Sequence, residues 1–282
     1  MRISLFLSAL CVAGCLAAPA RAESQTLIYD LYAGGFHALE AKAVLEESKD
    51  RYAMTLTSGT TKTFKLVAPW SGTFKVAGWK RGEKRQPETY NVISKITDKL
   101  KTKDYRYASS GKLLSFKATE NGKDKTPEKI EPELTPPGIT DVLTTTLLAR
   151  DRVNKTGSCD GSSLIFDGDR SFTLTFKSTG DEVLPVSDYN IFNGQAIGCT
   201  FEMTPEKGKW KKKLRGWLML QEQGRKLDSM PTVWFAKIPG GDGTYVPVKL
   251  QVKTNYGTLI LHLRSAAGTD GKIFTAAAKK AP

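Results

Sequence analysis

The feature that most restricts the fold is a period-two rhythm of apolar residues, repeated in short segments from Gln25 to Thr119. Leu27, Tyr29 and Leu31 alternate with Ile28, Asp30 and Tyr32 before Gly34-Gly35, and residues 36–46 then run on without a breaker. "RYAMTLTSG" and "TKTFKLVAP" follow, then "GTFKVAGWK". Beyond the polar "RGEKRQPE" come "YNVISKIT", "DYRYAS" and "KLLSFKAT", with Ser109-Ser110-Gly111 as a turn. Side chains on a strand point alternately to its two faces, so many such segments at even spacing predict an antiparallel sheet, curved or barrel-like.

Residues 121–138, "NGKDKTPEKIEPELTPPG", are charged and proline-rich, and read as an exposed connector. It leads into the one clear helical spacing, where Ile139, Val142, Leu143 and Leu147 share a face with Asp141 in the first turn and Arg150 near the end. Strands resume at 162–166, 171–177, 195–203, 232–238, 245–254 and 258–264. Residues 205–226 fit either a helical stripe (Trp210, Leu214, Trp217, Leu218) or an alternation (Leu214, Gly216, Leu218, Leu220). The expected fold is all-β with minor α: one curved antiparallel sheet or half-barrel, with one helix against its concave side. It forms a single domain over 23–265, because either half alone would leave sheet edges exposed. The small, polar tail 266–282 is expected to be disordered.

Within the second half, "CDGSSLIFDGDRSFTLTF" (159–176) gathers three aspartates and two glycines beside a cysteine. A calcium loop needs several converging oxygen ligands, but here Arg170 follows Asp169 at once and Asp160 is a strand away. Asp167-Gly168 between apolar segments instead supplies residues that tolerate positive φ, as a hairpin turn requires. No metal site is expected.

Residues 1–22 have the form of a secretory signal peptide: Arg2, an apolar run from Ile3 to Leu16, and Ala20-Arg21-Ala22 before the cut. The run is shorter than the roughly 20 residues that span a bilayer. Val12-Ala13-Gly14-Cys15 resembles a lipobox that would lipidate Cys15, but the apolar run before it is short and Leu16-Ala17-Ala18 continues past it. The expected location is the periplasm. Without Arg2 and Arg21 the chain has 40 basic and 29 acidic residues, a net charge of +11. Outside the cytoplasm such a charge faces lipid head groups, lipopolysaccharide or acidic glycans, so no nucleic-acid partner is expected. Cys159 and Cys199 are the only cysteines left after processing, and an oxidising compartment makes them a structural disulfide.

The chain also resembles a proteobacterial family known as domain of unknown function 3108. The likeness is carried by "YDLYAGGFHALEAKA", by "FDG" with Arg170, by "FNGQAIGCTFEMTP" and by "VWFAK…YVPVKLQVKTNYGTLILHL". Its most specific part is Asn193-Gly194-x-Ala196-x-x-Cys199. Thr140-Asp141-Val142-Leu143 departs from the Asp-Pro-Leu that opens the helix in many relatives. The resemblance implies an exported envelope protein with an open, curved sheet like that of periplasmic lipoprotein carriers, and it supplies no catalytic residues.

No catalytic signature appears. His37 and His262, the only histidines, read as ordinary exposed strand residues, and no zinc-protease, serine-hydrolase or phosphate-loop motif is present. Ser109–Lys112 matches Ser-x-x-Lys in form only, since it falls in a strand turn. No cofactor is expected. The remaining candidate is "KGKWKKKLRGWLML" (207–220). If helical, Trp210, Lys211, Lys212, Lys213, Arg215 and Trp217 would make a basic face for an anionic lipid or glycolipid. The commoner arrangement is a solvated basic loop leading to a core tryptophan. Two functions remain. One is a non-enzymatic envelope protein binding a lipid, a lipopolysaccharide, a lipoprotein chain or an envelope partner on its sheet. The other is a cell-wall or glycan hydrolase with residues dispersed over strands. An apolar groove favours the first, and a polar cleft with paired carboxylates the second.

Overall fold

The computed structural model describes residues 23–211, 213–214, 216–238, 241–268 and 272–275. The expected signal peptide, Lys212, Arg215 and most of the tail lie outside the described residues. The first half comprises β1 (Glu23–Ala33), β2 (Phe36–Glu47), β3 (Arg51–Thr60), β4 (Trp70–Arg81), β5 (Lys84–Ile96), β6 (Lys99–Tyr107), β7 (Leu113–Glu120) and β8 (Lys123–Asp124). After α1 (Val142–Thr156) come β9 (Gly161–Phe166), β10 (Arg170–Leu184), β11 (Gly194–Gly208), α2 (Trp217–Lys226), β12 (Thr232–Lys237), β13 (Tyr245–Thr254), β14 (Gly257–Ala267) and β15 (Ile273–Thr275).

All strands join one antiparallel sheet in the order β8-β7-β6-β5-β4-β3-β2-β1-β14-β13-β12-β11-β10-β9, with β15 beside β14. The first strand pairs with β14, so each half of the chain forms one wing. The sheet is not closed by hydrogen bonds. It curls until the wings face each other, and Phe166 of β9 packs 5.6 Å from Phe116 of β7 and 6.3 Å from Tyr105 of β6. The β9–β10 turn completes this approach. Asp167 Oδ1 accepts the amides of Asp169 and Arg170, and Lys103 Nζ donates to the Asp167 carbonyl. Gly168 adopts φ +102°, and a Cβ there would stand 2.5 Å from the Phe116 ring. Here glycine is required for both backbone conformation and room.

Inside the curl lies α1. Asp141 caps it by accepting the Thr144 amide, and Gly157 ends it at φ +73°. Leu143 and Leu147 pack with Tyr52, Tyr90 and Tyr105, while Ala149 and Val153 pack with Phe172 and Phe235. The Cys159–Cys199 disulfide ties the segment after α1 to β11 across a Cα separation of 6.3 Å, and both residues are fully buried.

Antiparallel connectivity sorts the turns to two ends. The turns β1–β2, β3–β4, β5–β6 and β13–β14 share one, here the hairpin end. The turns β2–β3 and β4–β5 and the last turn of α1 share the other.

Four expectations need correction. "TKTFKLVAP" is not a strand: β3 stops at Thr60, and residues 61–69 form a loop around a 3-10 turn, Phe64–Leu66. A second helix, α2, resolves the ambiguity of 205–226, while β11 continues to Gly208. The tail is ordered in part, because Ile273–Thr275 pair with Ser265–Ala267. The connector is exposed over most of its length, but Ile130 and Leu134 pack against the core.

Candidate functional site

The concave face encloses a cavity of about 590 Å³. Its walls come from alternate residues of both wings: Leu27, Leu39, Leu45 and Leu56 on one side, Phe172, Phe176, Val246 and Leu261 on the other. The alternation that predicted strands therefore also placed these side chains on one face. Phe201 and Trp217 stack with ring centres 5.1 Å apart, and Trp217 brings the start of α2 into the wall. The Tyr29 hydroxyl is spent on the Pro247 carbonyl at 2.9 Å. The cavity extends from Leu147 and Arg150 toward Leu31, Ser58 and Trp70 at the hairpin end. A second recess of about 550 Å³ shares Trp70, Phe74, Val142 and Phe172 with it, and carries Lys101, Lys103 and Lys125 together with Glu120, Asp167 and Asp169.

Arg150 is the one charged residue on the main wall, and it is neutralised. Its Nη2 lies 2.8 Å from Glu47 and 3.1 Å from Asp151. Arg85, with a side chain 1% exposed, binds the same two carboxylates through Nη2 and through Nε, the latter 2.5 Å from Asp151. Its guanidinium also lies 5.1 Å from the centre of the Tyr52 ring. Burial would raise the Glu47 pKa, but the Arg150 and Arg85 charges outweigh it and hold the carboxyl below its usual range. Each carboxylate thus meets both arginines. This ion-pair knot closes the cavity end of the sheet. On its outer side Asp151 and Glu83 line a polar cleft of about 660 Å³ together with Arg81, Lys84, Arg152 and Lys155, and Glu83 is ion-paired with Lys155.

Burial raises the Asp141 carboxyl to a pKa of about 6, although it accepts from the Thr144 amide at 2.9 Å and the Thr144 hydroxyl at 2.6 Å. It is closed in by the helix it caps and is no candidate acid or base for an outside substrate.

The basic segment is divided by the fold. Trp210 stands under the Arg170 guanidinium at 4.2 Å, edge-on to Phe172, and donates to the Lys207 carbonyl at 3.1 Å. Lys211 and Lys213 are exposed in the loop between β11 and α2. Helix begins only at Trp217, so the lysines and the two tryptophans do not share a helical face.

The histidines also differ from expectation. Both are half-buried on the convex face and meet through Tyr32, 5.2 Å from the His37 ring and 6.0 Å from that of His262. Desolvation, aided by Lys249, pushes the His262 pKa down to about 4, so the ring is neutral at ordinary pH. Asp30, His37 and Glu40 bring three potential ligand atoms within 4.8 Å of one another. Arg264 reaches Asp30 at 3.4 Å and Glu40 at 3.6 Å, so a cation of the protein already balances this cluster. Sequence offered no signal for the meeting, since β1 and β14 are neighbours only in the fold.

Among the described residues, no helix is long and apolar enough to cross a membrane. A family model described as a protein of unknown function, DUF3108, matches residues 28–264. No curated protein matches the chain. Among solved structures, the chain is similar to a β-barrel-like protein of domain of unknown function DUF1849 from Brucella abortus. The identity is 11% and the TM-score 0.44, over 87% of this chain and 98% of that one.

Proposed function

This chain belongs to the DUF3108 family, and from that premise we propose that it is an exported, non-enzymatic protein of the periplasm that holds the apolar part of a lipid or similar amphiphile in its concave cavity. The observation that carries this reading is the wall itself: a space of about 590 Å³, within the usual range for small-ligand sites, lined by aliphatic and aromatic side chains. Burying a dozen methylenes there gains on the order of 10 kcal/mol before the costs of association. A polar substrate would instead leave its hydrogen-bonding groups unpaired against carbon. The second recess supports an amphiphile over a pure hydrocarbon, because its lysines and carboxylates can meet a polar head. The apolar N-terminal run and the disulfide support export.

The hydrolase reading is disfavoured by the ion-pair knot, where the half-buried Glu47 and Asp151 each pair with both Arg85 and Arg150. The test is native mass spectrometry of protein purified from its host, with titration of an apolar fluorescent probe. A Leu56→Trp variant, at a partly buried position on the wall, places an indole in the cavity and should weaken probe binding about tenfold, with a smaller loss of melting temperature than a fully buried position would show. Protein that carries no lipid and binds no probe would end this reading.

A further inference from the structure

Four neighbouring turns at the hairpin end form a continuous rim. The Gly34 amide donates to the Thr258 carbonyl at 3.1 Å, joining the β1–β2 and β13–β14 turns. Thr61 donates its amide to the Ala38 carbonyl and its hydroxyl to the His37 carbonyl, joining the 61–69 loop to β2. The Thr97 amide donates to the Pro69 carbonyl, joining the β5–β6 turn. Large apolar side chains stand outward along this rim: Phe36 is 70% exposed, Leu66 87%, Val67 80% and Tyr256 89%. Ordinary turns at these positions would carry polar residues. Exposed lysines lie between them, Lys62, Lys65, Lys99 and Lys253, with Asp98 as the carboxylate of the same turns. The cavity reaches this end, where Leu31 and Leu39 flank the first turn and Trp70 follows the 61–69 loop.

We propose that this rim docks on an anionic lipid bilayer: Phe36, Leu66, Val67 and Tyr256 enter the interfacial layer while the four lysines meet head-group phosphates. The partner is a bilayer and not a protein because the apolar groups are separate knobs on convex turns, with cations between them. A stable protein interface needs a flat, well-packed patch of about 800 Å² per partner, whereas a fluid surface accepts isolated apolar anchors flanked by positive charge. The inference extends the carrier reading and rests on it in one respect: docking at this end puts the cavity beside the membrane from which an amphiphile would be taken.

The test is flotation of the full exported chain with phosphatidylcholine vesicles, with and without phosphatidylglycerol. The chain should float with the anionic vesicles, and Leu66→Ser with Val67→Ser should weaken binding about tenfold through lost apolar insertion. Lys62→Glu with Lys65→Glu should weaken it at least about fivefold, on anionic vesicles only and most at low salt. A Leu66→Trp reporter should shift its emission to the blue when vesicles are added. Docking is overturned if the wild type floats with neither vesicle, if the serine variant floats like the wild type, or if sedimentation shows the rim joining two copies of the chain without vesicle binding. The probe titration reads the cavity separately. Vesicle binding by a chain with a cavity that refuses the probe would uphold docking and sink the carrier reading. Probe binding without flotation would do the reverse.

Discussion

The two ends of the curled sheet solve opposite problems with the same strands. At one end, four charged side chains are drawn out of water and closed into a knot, Arg85 and Arg150 against Glu47 and Asp151, with each carboxylate touching both cations. At the other, apolar side chains that could have been buried stand in water on the turns. A chain selected only for stability would reverse both choices, since buried ion pairs are poor stabilisers and exposed apolar groups contribute nothing to the core. The polar end is therefore best understood as a plug that fixes the base of the cavity. The apolar end is best understood as a surface awaiting contact. The comparison teaches that stability and exposure have been separated along the strand axis, with α1 running between them.

The largest expected effect breaks the plug. Arg85→Ala leaves the half-buried Asp151 with Arg150 alone and Glu47 with Arg150 and the more distant Lys80, and it removes the guanidinium from the Tyr52 ring. Urea unfolding should show a loss of about 3–5 kcal/mol, the range for one partner removed from a buried pair. A loss under about 1 kcal/mol would mean that water reaches the knot and that the two ends are not distinct.

A smaller effect, with the opposite sign, lies at the N-terminal cap of α1. The Asp141 pKa is raised from 3.8 to about 6 by burial, so the folded state holds this proton more tightly than the unfolded chain. Its contribution is whole below pH 3.8 and is lost as pH rises through about 6. Asp141→Asn keeps an oxygen for the Thr144 amide and carries no charge. The variant should match the wild type near pH 4 and exceed it by roughly 2–3 kcal/mol at pH 7. Melting temperature measured across that window checks the slope. A parallel pair of curves would show that Asp141 is ionised throughout.

Much of this molecule is readable from its sequence, for reasons that particular residues make plain. The wings follow from local alternation, since Leu27, Tyr29 and Leu31 must share a face once they are on a strand. The hairpin at Asp167-Gly168 is equally local, because carboxylate, amides and glycine all lie within four residues. What alternation cannot reveal is whether a strand-like run finds a partner. Residues 61–69 have the apolar content of a strand, yet Thr60 ends the β3–β2 ladder and Trp70 opens β4, so Leu66 and Val67 are left outside. The basic segment fails for a related reason. Trp210, Leu214, Trp217 and Leu218 have helical spacing, but helix starts only after Gly216, at Trp217. The knot joins β2, β5 and α1, and His262 comes to the β1–β2 hairpin from β14, so the spacing in the chain does not announce either meeting. The apolar cavity is half legible, as the face is set by alternation and the curl by pairing.

The smallest effect is the most informative about the apolar end. Leu66 and Val67 touch little besides solvent, so Leu66→Ser with Val67→Ser should leave the unfolding free energy within about 0.5 kcal/mol of the wild type, as for surface substitutions elsewhere. Burial would make the same pair costly, because two aliphatic side chains in a core are each worth about 1.5–3 kcal/mol. Urea unfolding beside the Arg85→Ala chain separates these cases on one scale. If the serine variant is as stable as the wild type and still loses its grip on anionic vesicles, the rim's apolar side chains serve an outside surface and not the fold. If it unfolds readily, the loop packs inward in solution, and the contrast between a plugged end and a presented end collapses.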